Sequence, residues 1–192
     1  VWFKTTTTSG GRIAGFGSAQ VGISASVDRH IYMNNAGVIY FGVYPGSVVT
    51  INSGSAYNDG NWHNVTASLS STNGMKLYMD GSLVASDVTT TTAVSYTGYW
   101  KIGYDKLTAW TSNPSSVFFG GTLDDIFIYH RELSSTEVAT LANNVSGAGS
   151  NSPICIGGAL NLNSTTVSGA TYSWAGPNSF SSTSQNPTVA VY

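Results

Sequence analysis

Charged and helix-favouring residues are scarce in this chain of 192 amino acids. It has 7 basic and 9 acidic residues, so charged side chains make up 8% of the sequence, against about 25% in an average soluble domain. Two glutamates and four lysines are present. Because the exposed surfaces of helices are built mainly from such residues, the composition excludes an all-helical fold.

Three further absences exclude whole classes of function. The seven basic residues are scattered singly and the net charge is −2, so the sequence has no positive patch for nucleic acid. No apolar run approaches the roughly 18 residues of a membrane-spanning helix. The single cysteine excludes a disulfide within the chain.

Small polar residues and aromatic residues are abundant instead. Serine, threonine, asparagine and glycine supply 87 of the 192 residues, and aromatic residues make up 12%. β-Branched and aromatic residues punctuated by glycine and asparagine are typical of short strands joined by tight turns. The low charge and the polar composition favour a secreted or cell-surface protein.

Apolar and polar residues alternate along much of the chain, as they do in half-buried strands. Asp80-Gly81 favours the positive φ angles of a two-residue hairpin turn. About ten short strands, with turns every 8 to 12 residues, predict an all-β fold of two packed antiparallel sheets. The predicted strands include 11–16, 30–33, 38–44, 47–52, 62–69, 75–79, 83–85, 99–104 and 117–129.

The distribution of charge divides the chain into two predicted domains. All 16 charged residues lie at or before residue 137, and a run of small polar residues follows from 143 to 153. Such a run is typical of a linker, so we place the boundary near residue 148, between domains 1–148 and 149–192. One short helix is predicted at the end of the first domain, because Ser134 and Glu137 form a capping box.

Three ordered motifs resemble a known family. They occupy residues 58–65 (NDGNWHNV), 75–84 (MKLYMDGSLV) and 120–134 (GGTLDDIFIYHRELS). In this order and spacing they resemble the laminin G-like, concanavalin A-like jelly-roll domains of bacterial secreted proteins, over residues 1 to about 143. The resemblance implies a jelly-roll sandwich. It also implies that a strand before Val1, with part of any metal site, is missing from this sequence.

The last 41 residues resemble a different kind of module. Residues 152–157, 167–174, 176–180 and 185–187 resemble the immunoglobulin-like or PKD-like repeats of secreted Bacteroidetes proteins. The resemblance implies a partial repeat, in which the disulfide partner of Cys155 lies beyond the end of the chain. Further modules of the same parent chain are therefore expected.

The sequence gives no support for catalysis. Two-carboxylate glycoside hydrolysis needs an acid and a base or nucleophile roughly 5 to 9.5 Å apart, and Asp124 and Asp125 are adjacent, so a strand would point them to opposite faces. Glu137 is assigned to the helix cap. His63 lies on the apolar face of its predicted strand, and we interpret it as a buried, hydrogen-bonded structural histidine. No catalytic residue is predicted, and the chain is expected not to be an enzyme.

Calcium is the one metal that the resemblance implies. It places an ion near the Asp124-Asp125 strand, bound by a carboxylate together with backbone carbonyls. In a strand Asp124 would share a face with Ile126 and Ile128, and a carboxylate on an apolar face needs a partner. Asp124 is therefore the predicted metal ligand. The alternative is that it bonds to nearby backbone amides.

Aromatic and polar residues in predicted loops are the candidate ligand-binding residues. Trp110 lies in a polar loop that gives its indole no obvious burial, so it could stack on a sugar ring; packing within the loop is the alternative. The other candidates are Tyr57, Asp59, Tyr96 and Asn113. They predict a non-catalytic module that binds a carbohydrate or an extracellular protein. A structural spacer in an adhesin, and an accessory domain of a carbohydrate-active enzyme, are the alternatives.

Overall fold

A computed structural model describes residues 1–143, 148–152, 157–164, 171–177 and 179–190. The chain forms two compact units, residues 1–142 and residues 143–192. Neither contains, among the described residues, a helix that is long and apolar enough to cross a membrane.

The first unit is a sandwich of two antiparallel five-stranded sheets, as the alternation predicts. One sheet has the strand order β10-β1-β6-β7-β8 and the other the order β5-β4-β3-β2-β9. The strands are β1 (Trp2–Lys4), β2 (Gly11–Gly17), β3 (Val27–Met33), β4 (Val38–Val43), β5 (Val49–Ala56), β6 (Trp62–Ser70), β7 (Gly74–Met79), β8 (Ser82–Asp87), β9 (Tyr99–Ile102) and β10 (Thr122–Asp124). The prediction of an all-β sandwich is confirmed.

The core of the sandwich lies between the inner faces of the two sheets. Phe3 and Val65 from the first sheet and Ile13, Ile39 and Val43 from the second are fully buried there. Full burial of side chains of this size contributes about 1.5–3 kcal/mol each. The side chains that alternate with them point away from this core, and on the second sheet they build the candidate site described below.

Local turn and cap signals are confirmed. Asp80 and Gly81 have φ angles of 49° and 80° and join β7 to β8, as a two-residue hairpin with both residues left-handed requires. Helix α1 (Ser135–Asn143) begins with the predicted capping box. The amide of Glu137 donates to Ser134 Oγ at 3.2 Å, and Glu137 Oε2 accepts from the amide of Ser134 at 2.8 Å.

One strand prediction is wrong in extent. Of the predicted strand 117–129, the structure forms a strand only over Thr122–Asp124. Asp125 has a φ of 46°, which ends the extended conformation. The four apolar residues that follow, 126–129, lie outside any strand and are 39–59% exposed.

The second unit contains short antiparallel strands. Strands β11 (Ala148–Ser150), β12 (Ala159–Ser164) and β15 (Thr188–Ala190) form one sheet, and β13 (Trp174–Ala175) pairs with β14 (Ser181–Ser182). The indole of Trp174 is half-buried and donates to the carbonyl of Ser184 at 2.9 Å. Cys155 lies outside the described residues, and the immunoglobulin-like assignment stays a prediction.

Candidate functional site

The outer face of the β5-β4-β3-β2-β9 sheet is covered by two loops, 18–26 and 103–116. We call it the loop-covered face. A hydrophobic cluster separate from the sandwich core lies on this face. It consists of Tyr32, Tyr40, Leu107 and Trp110, all at most 9% exposed. The rings of Tyr32 and Tyr40 stack at 5.2 Å. Their hydroxyls fasten the covering loop, one donating to the carbonyl of Thr111 at 2.5 Å and the other to Ser112 Oγ at 3.2 Å.

Trp110 is buried, so the expectation that its polar loop leaves the indole exposed is wrong. Its side chain is 5% exposed and packs edge-to-face against His30 at 4.3 Å between ring centroids. The indole fits because Gly42 has no side chain: a Cβ there would lie 2.6 Å from Cζ3 of Trp110. The polar loop residues point outwards while the indole packs on the sheet, which is the packing alternative stated above.

A buried ionic cluster lies beside Trp110, and the sequence analysis missed it. Asp105 is fully buried; its Oδ2 lies 2.9 Å from Arg12 Nη1 and 3.3 Å from Lys101 Nζ. The amide and hydroxyl of Ser24 donate to Asp105 at 2.8 and 2.7 Å, and the amide of Lys106 donates at 2.8 Å. The sequence did contain one signal for this cluster. Arg12 is a charged residue within an otherwise apolar strand, and charged residues are rare in this chain.

The environment shifts the pKa values of this cluster in physically distinct ways. Burial alone would raise the pKa of Asp105, but the hydrogen bonds from Ser24 and Lys106 and the charge of Arg12 outweigh it and lower that pKa. Burial lowers the pKa of Arg12 to about 10, an effect that Asp105 partly offsets. Burial, with the nearby charge of Arg12, holds the pKa of His30 well below its ordinary value, so His30 is neutral.

Several polar atoms of the cluster lack hydrogen bonds. Apart from the contact with Asp105, the guanidinium nitrogens of Arg12 have no hydrogen-bond partner, and neither ring nitrogen of His30 has one. Both side chains are fully buried. Gly15 makes room for them, since a Cβ there would lie 2.5 Å from Arg12 Nη2 and 2.9 Å from His30 Nδ1. Such atoms are costly to bury.

An open groove of about 430 Å³ borders the covering loop. Its aromatic lining residues are Tyr44, which is 41% exposed, Tyr96 and Trp110. Tyr96 is held in place by its hydroxyl, which donates to the carbonyl of Phe16 at 3.1 Å. Polar groups are contributed by Ser26, Lys106 and Thr108. We call this the aromatic groove; it brings together two of the five predicted ligand-binding residues, Tyr96 and Trp110.

Tyr57 and Asp59 belong to a different cluster. His63 Nδ1 lies 2.8 Å from Asp80 Oδ2, and its Nε2 lies 3.1 Å from Asp59 Oδ1. The ring of Tyr57 packs edge-to-face on His63 at 4.9 Å. Burial lowers the pKa of His63, but the hydrogen bonds with the two aspartates outweigh it, so the net shift is upward. His63 is hydrogen-bonded as interpreted, although its side chain is 15% exposed rather than fully buried.

This cluster brings residues of the first two motifs into contact. Asp59 and His63 come from the first motif and Asp80 from the second. Asp59 also accepts from the amide of Asn61 and from its side chain, both at 2.9 Å. Its carboxylate oxygens are thus engaged within the protein, and the three residues tie the entrance of β6 to the β7–β8 hairpin.

Asn113 and Asp124 are both exposed. The amide of Asn113 donates to the carbonyl of Trp110 at 3.2 Å, within a turn of the covering loop. Asp124 Oδ1 accepts from the amide of Asp125 at 2.8 Å, so the backbone-amide alternative holds for this oxygen. The argument that placed Asp124 on an apolar face is wrong, because the strand ends at this residue.

The described residues contain no cluster of three or more histidine, cysteine, aspartate or glutamate side chains that could hold a metal ion. Asp124 therefore belongs to no such cluster. Calcium stays a prediction. A rise in Tm on calcium addition that is absent from the Asp124→Asn variant would support it, since an ion that binds the native state raises Tm.

Comparison with known proteins agrees with this architecture. Among solved structures, a native heptameric SAP-like pentraxin from Limulus polyphemus superposes with a TM-score of 0.54 at 19% identity, over 73% of this chain and 66% of the pentraxin. The CBM40 of the Ruminococcus gnavus IT-sialidase superposes with a TM-score of 0.52 at 20% identity, over 74% of this chain and 79% of that module. At these identities the likeness shows the fold alone.

No curated protein matches the sequence. Residues 1–139 match the laminin G-like family of concanavalin A-like lectins and glucanases. That match covers the whole sandwich and reaches into helix α1. Because it spans well over half of the sequence, the chain belongs to the concanavalin A-like lectin/glucanase superfamily.

Proposed function

We propose that the first unit is a non-catalytic carbohydrate-binding module and that its ligand lies in the aromatic groove. The observation that carries the proposal is the pairing of an exposed ring, Tyr44, with Lys106 and two hydroxyl-bearing residues in one open groove. An aromatic ring packs on the apolar face of a sugar, while ammonium and hydroxyl groups bond to its hydroxyls. The carbohydrate-binding module among the structural neighbours supports the same class of ligand.

The state of the two glutamates supports a non-catalytic role. Hydrogen bonds from Lys76 and Asn73 lower the pKa of Glu132 to about 2. Hydrogen bonds from Arg131 and Ser134 lower the pKa of Glu137 to about 2. A general acid for glycoside hydrolysis needs a raised pKa, so neither glutamate suits that role.

A matched pair of tyrosine variants tests the proposal. Tyr44 lines the groove and is 41% exposed, whereas Tyr99 is 45% exposed and does not line it. A glycan array identifies a ligand, and calorimetry then measures its Kd. We expect Tyr44→Ala to weaken binding roughly tenfold, about 1.4 kcal/mol, and Tyr99→Ala to leave Kd unchanged. Equal Kd values in the two variants, with equal Tm, would exclude the groove.

The structural role in an adhesin is the second candidate. It is favoured by the second unit, which is also built of short strands. Absence of binding to every glycan on the array, while the parent protein still adheres through another region, would support the spacer. Both proposals include secretion or surface display of the protein. For the binding module, an extracellular protein is the alternative ligand of the groove.

A further inference from the structure

The aromatic groove contains a positive side chain and no carboxylate. Of the described residues that line it, Lys106 is the only lysine, arginine or histidine, and none is an aspartate or a glutamate. Tyr96 adds no negative charge, because burial, together with the charge of Asp28, raises the pKa of its hydroxyl to about 12. The groove therefore presents an ammonium group among aromatic rings and hydroxyl groups.

Lys106 is one of two basic residues that form no ion pair within the described part of the chain. The other five basic residues each lie beside a carboxylate: Arg12 and Lys101 beside Asp105, Arg29 beside Asp28, Lys76 beside Glu132 and Arg131 beside Glu137. The second exception is Lys4, which lies on β1 and does not line the groove. The described protein thus supplies no carboxylate to the ammonium of Lys106.

The aspartate that precedes Lys106 does not neutralise it. Asp105 is fully buried, and its Oδ2 lies 2.9 Å from Arg12 Nη1 and 3.3 Å from Lys101 Nζ. One carboxylate thus faces two cations, so the buried ionic cluster has a positive balance of its own. That charge adds to the charge of Lys106, because solvent ions screen buried groups poorly.

A second buried carboxylate, that of Asp28, supports the other side of the groove. Its Oδ1 accepts from the amides of Arg29 and Tyr44 at 2.7 and 2.9 Å, and its Oδ2 lies 3.6 Å from Arg29 Nη1. Arg29 also donates to the carbonyl of Val94, a lining residue, at 3.1 Å. The groove and its two buried carboxylates with their partners contain four of the seven basic residues and two of the nine acidic ones. Four positive and two negative charges give +2, in a chain whose net charge is −2.

The two buried carboxylates hold the backbone of both residues on which the proposed function depends. The amide of Tyr44 donates to Asp28 at 2.9 Å, and the amide of Lys106 donates to Asp105 at 2.8 Å. Because both acceptors are fully buried, the exposed ring and the ammonium extend from anchored points of the chain. Such anchoring lowers the conformational entropy that is lost when a ligand binds.

We propose that the ligand of the aromatic groove is an acidic carbohydrate, whose carboxylate or sulfate group pairs with Lys106 while a sugar ring packs on Tyr44. This inference rests on the proposed function and adds the charge of the ligand to it. A neutral sugar leaves the ammonium without a counter-charge, whereas an anionic group forms a charge-assisted hydrogen bond with it. The positive charge of the buried ionic cluster attracts the same anionic group.

Two pairs of oligosaccharides that differ in charge test the proposal. One pair is an oligogalacturonide and its methyl ester, and the other is a κ-carrageenan oligosaccharide and its desulfated form. Within each pair the sugar backbone is the same and only the anionic group is removed. The two pairs distinguish a carboxylate from a sulfate as the group that is bound. NMR titration of the isotope-labelled chain measures Kd and identifies the amides that respond.

We expect the chain to bind the acidic member of at least one pair about tenfold more tightly than its neutral partner. Lys106→Gln should abolish this preference, and Lys106→Arg should retain it, because arginine carries the same charge. Lys4→Gln is the matched control: it removes the other unpaired lysine, which does not line the groove, and should leave Kd unchanged. Raising the salt concentration from about 0.05 M to about 0.5 M should weaken binding of the acidic member only, since salt screens the ion pair.

Tyr44→Ala separates failure of this inference from failure of the proposed function. Equal Kd values for acidic and neutral members, both increased by Tyr44→Ala, would overturn the acidic ligand and leave the carbohydrate-binding groove in place. Binding that neither Tyr44→Ala nor Lys106→Gln weakens would overturn both proposals. A preference for the acidic member that persists in Lys106→Gln would overturn the inference, because the anionic group would then bind elsewhere. Absence of binding to both acidic members would overturn it too.

Discussion

The loop-covered face and the apolar segment 126–129 lie in the same unit, and they are buried to very different degrees. On the loop-covered face, Trp110 is 5% exposed and Asp105 is fully buried beneath loops of the chain itself. In the segment 126–129, Phe127 and Ile128 are 59% and 45% exposed. The difference lies in what covers each region: loops 18–26 and 103–116 pack on the sheet face, whereas no strand of the described residues pairs with 126–129.

The two regions also differ in charge. The loop-covered face concentrates Arg12, Lys101 and Asp105, three of the 16 charged residues, into one buried cluster. The segment 126–129 carries no charge and lines a cavity of about 130 Å³ together with Val1. Charge on the loop-covered face is thus compensated by a partner, whereas the amino group of Val1 has a single carbonyl hydrogen bond and the field of Asp125.

The largest expected effect is the loss of the carboxylate that holds the loop-covered face together. Asp105→Ala leaves Arg12 and Lys101 buried without a counter-charge, so we expect the free energy of unfolding to fall by about 3–5 kcal/mol. Urea unfolding followed by tryptophan fluorescence measures it, since four of the five tryptophans lie in the first unit. Arg131→Ala breaks an exposed ion pair with Glu137 and is the control, with little effect expected. Comparable losses in both variants would show that the buried cluster contributes no more to the free energy of unfolding than the exposed ion pair does.

The next effect concerns the amino group of Val1, which donates to the carbonyl of Val65 at 2.9 Å, and it depends on pH. Because burial lowers the pKa of the Val1 amine from 8.0 to about 6, the native state disfavours its protonation. The contribution of this amine to the free energy of unfolding is therefore full above pH 8 and falls as the pH drops towards 6, by about 2–3 kcal/mol in total. Acetylation of the amine removes the dependence. Urea unfolding of the free and acetylated chains at pH 5.5 to 8.5, in steps of about half a unit, measures the difference.

His63 titrates in an overlapping range with the opposite sign. The net effect of its two aspartate partners is to raise its pKa above 6.5, so its contribution is full below pH 6.5 and is lost as the pH rises through the folded value. The free and the acetylated chain both contain His63, so the difference between their free energies of unfolding reports on the amine of Val1 alone. A difference that stays constant from pH 8.5 to 5.5 would contradict the burial of the amine.

Local signals in the sequence predicted local structure well. Asp80-Gly81 predicted the hairpin and Ser134 with Glu137 predicted the helix cap, because each depends on residues a few positions apart. The two packed antiparallel sheets followed from the alternation of apolar and polar residues. The extent of β10 was overestimated, since the apolar run after Asp125 has the pattern of a strand, but no strand in the described part of the chain pairs with it.

Contacts between distant parts of the chain were not predictable from the sequence. Nothing near Trp110 in the sequence indicates that Gly42 leaves space for its indole. Arg12 and Asp105 likewise meet only because β2 and the loop after β9 come together in the fold. The candidate site was therefore predicted in part: Tyr96 and Trp110 line the groove, while Tyr44 and Lys106 were not identified.

A smaller effect is expected from removing the space on which the covering loop depends. Gly42→Ala places a Cβ 2.6 Å from Cζ3 and 2.9 Å from Cε3 of Trp110, so the indole must shift. We expect a loss of about 1–3 kcal/mol in the free energy of unfolding. Gly120→Ala is the matched control, because its Cβ would meet Thr7 at ordinary contact distances of 3.4 and 3.6 Å. An equal loss in the two variants would show that the indole does not depend on this space.

The smallest effect concerns the N-terminal cap of helix α1. Ser134→Ala removes the hydroxyl that accepts from the amide of Glu137 and leaves that donor unpaired. We expect a loss of about 1 kcal/mol in the free energy of unfolding, less than for either buried variant. Ser135→Ala, at the neighbouring exposed serine, is the control in the same urea titration. If both serine variants matched the wild type, the cap would not stabilise the helix, and its packing on the sandwich would depend on the contacts of Leu133 with Val138 and Tyr78 instead.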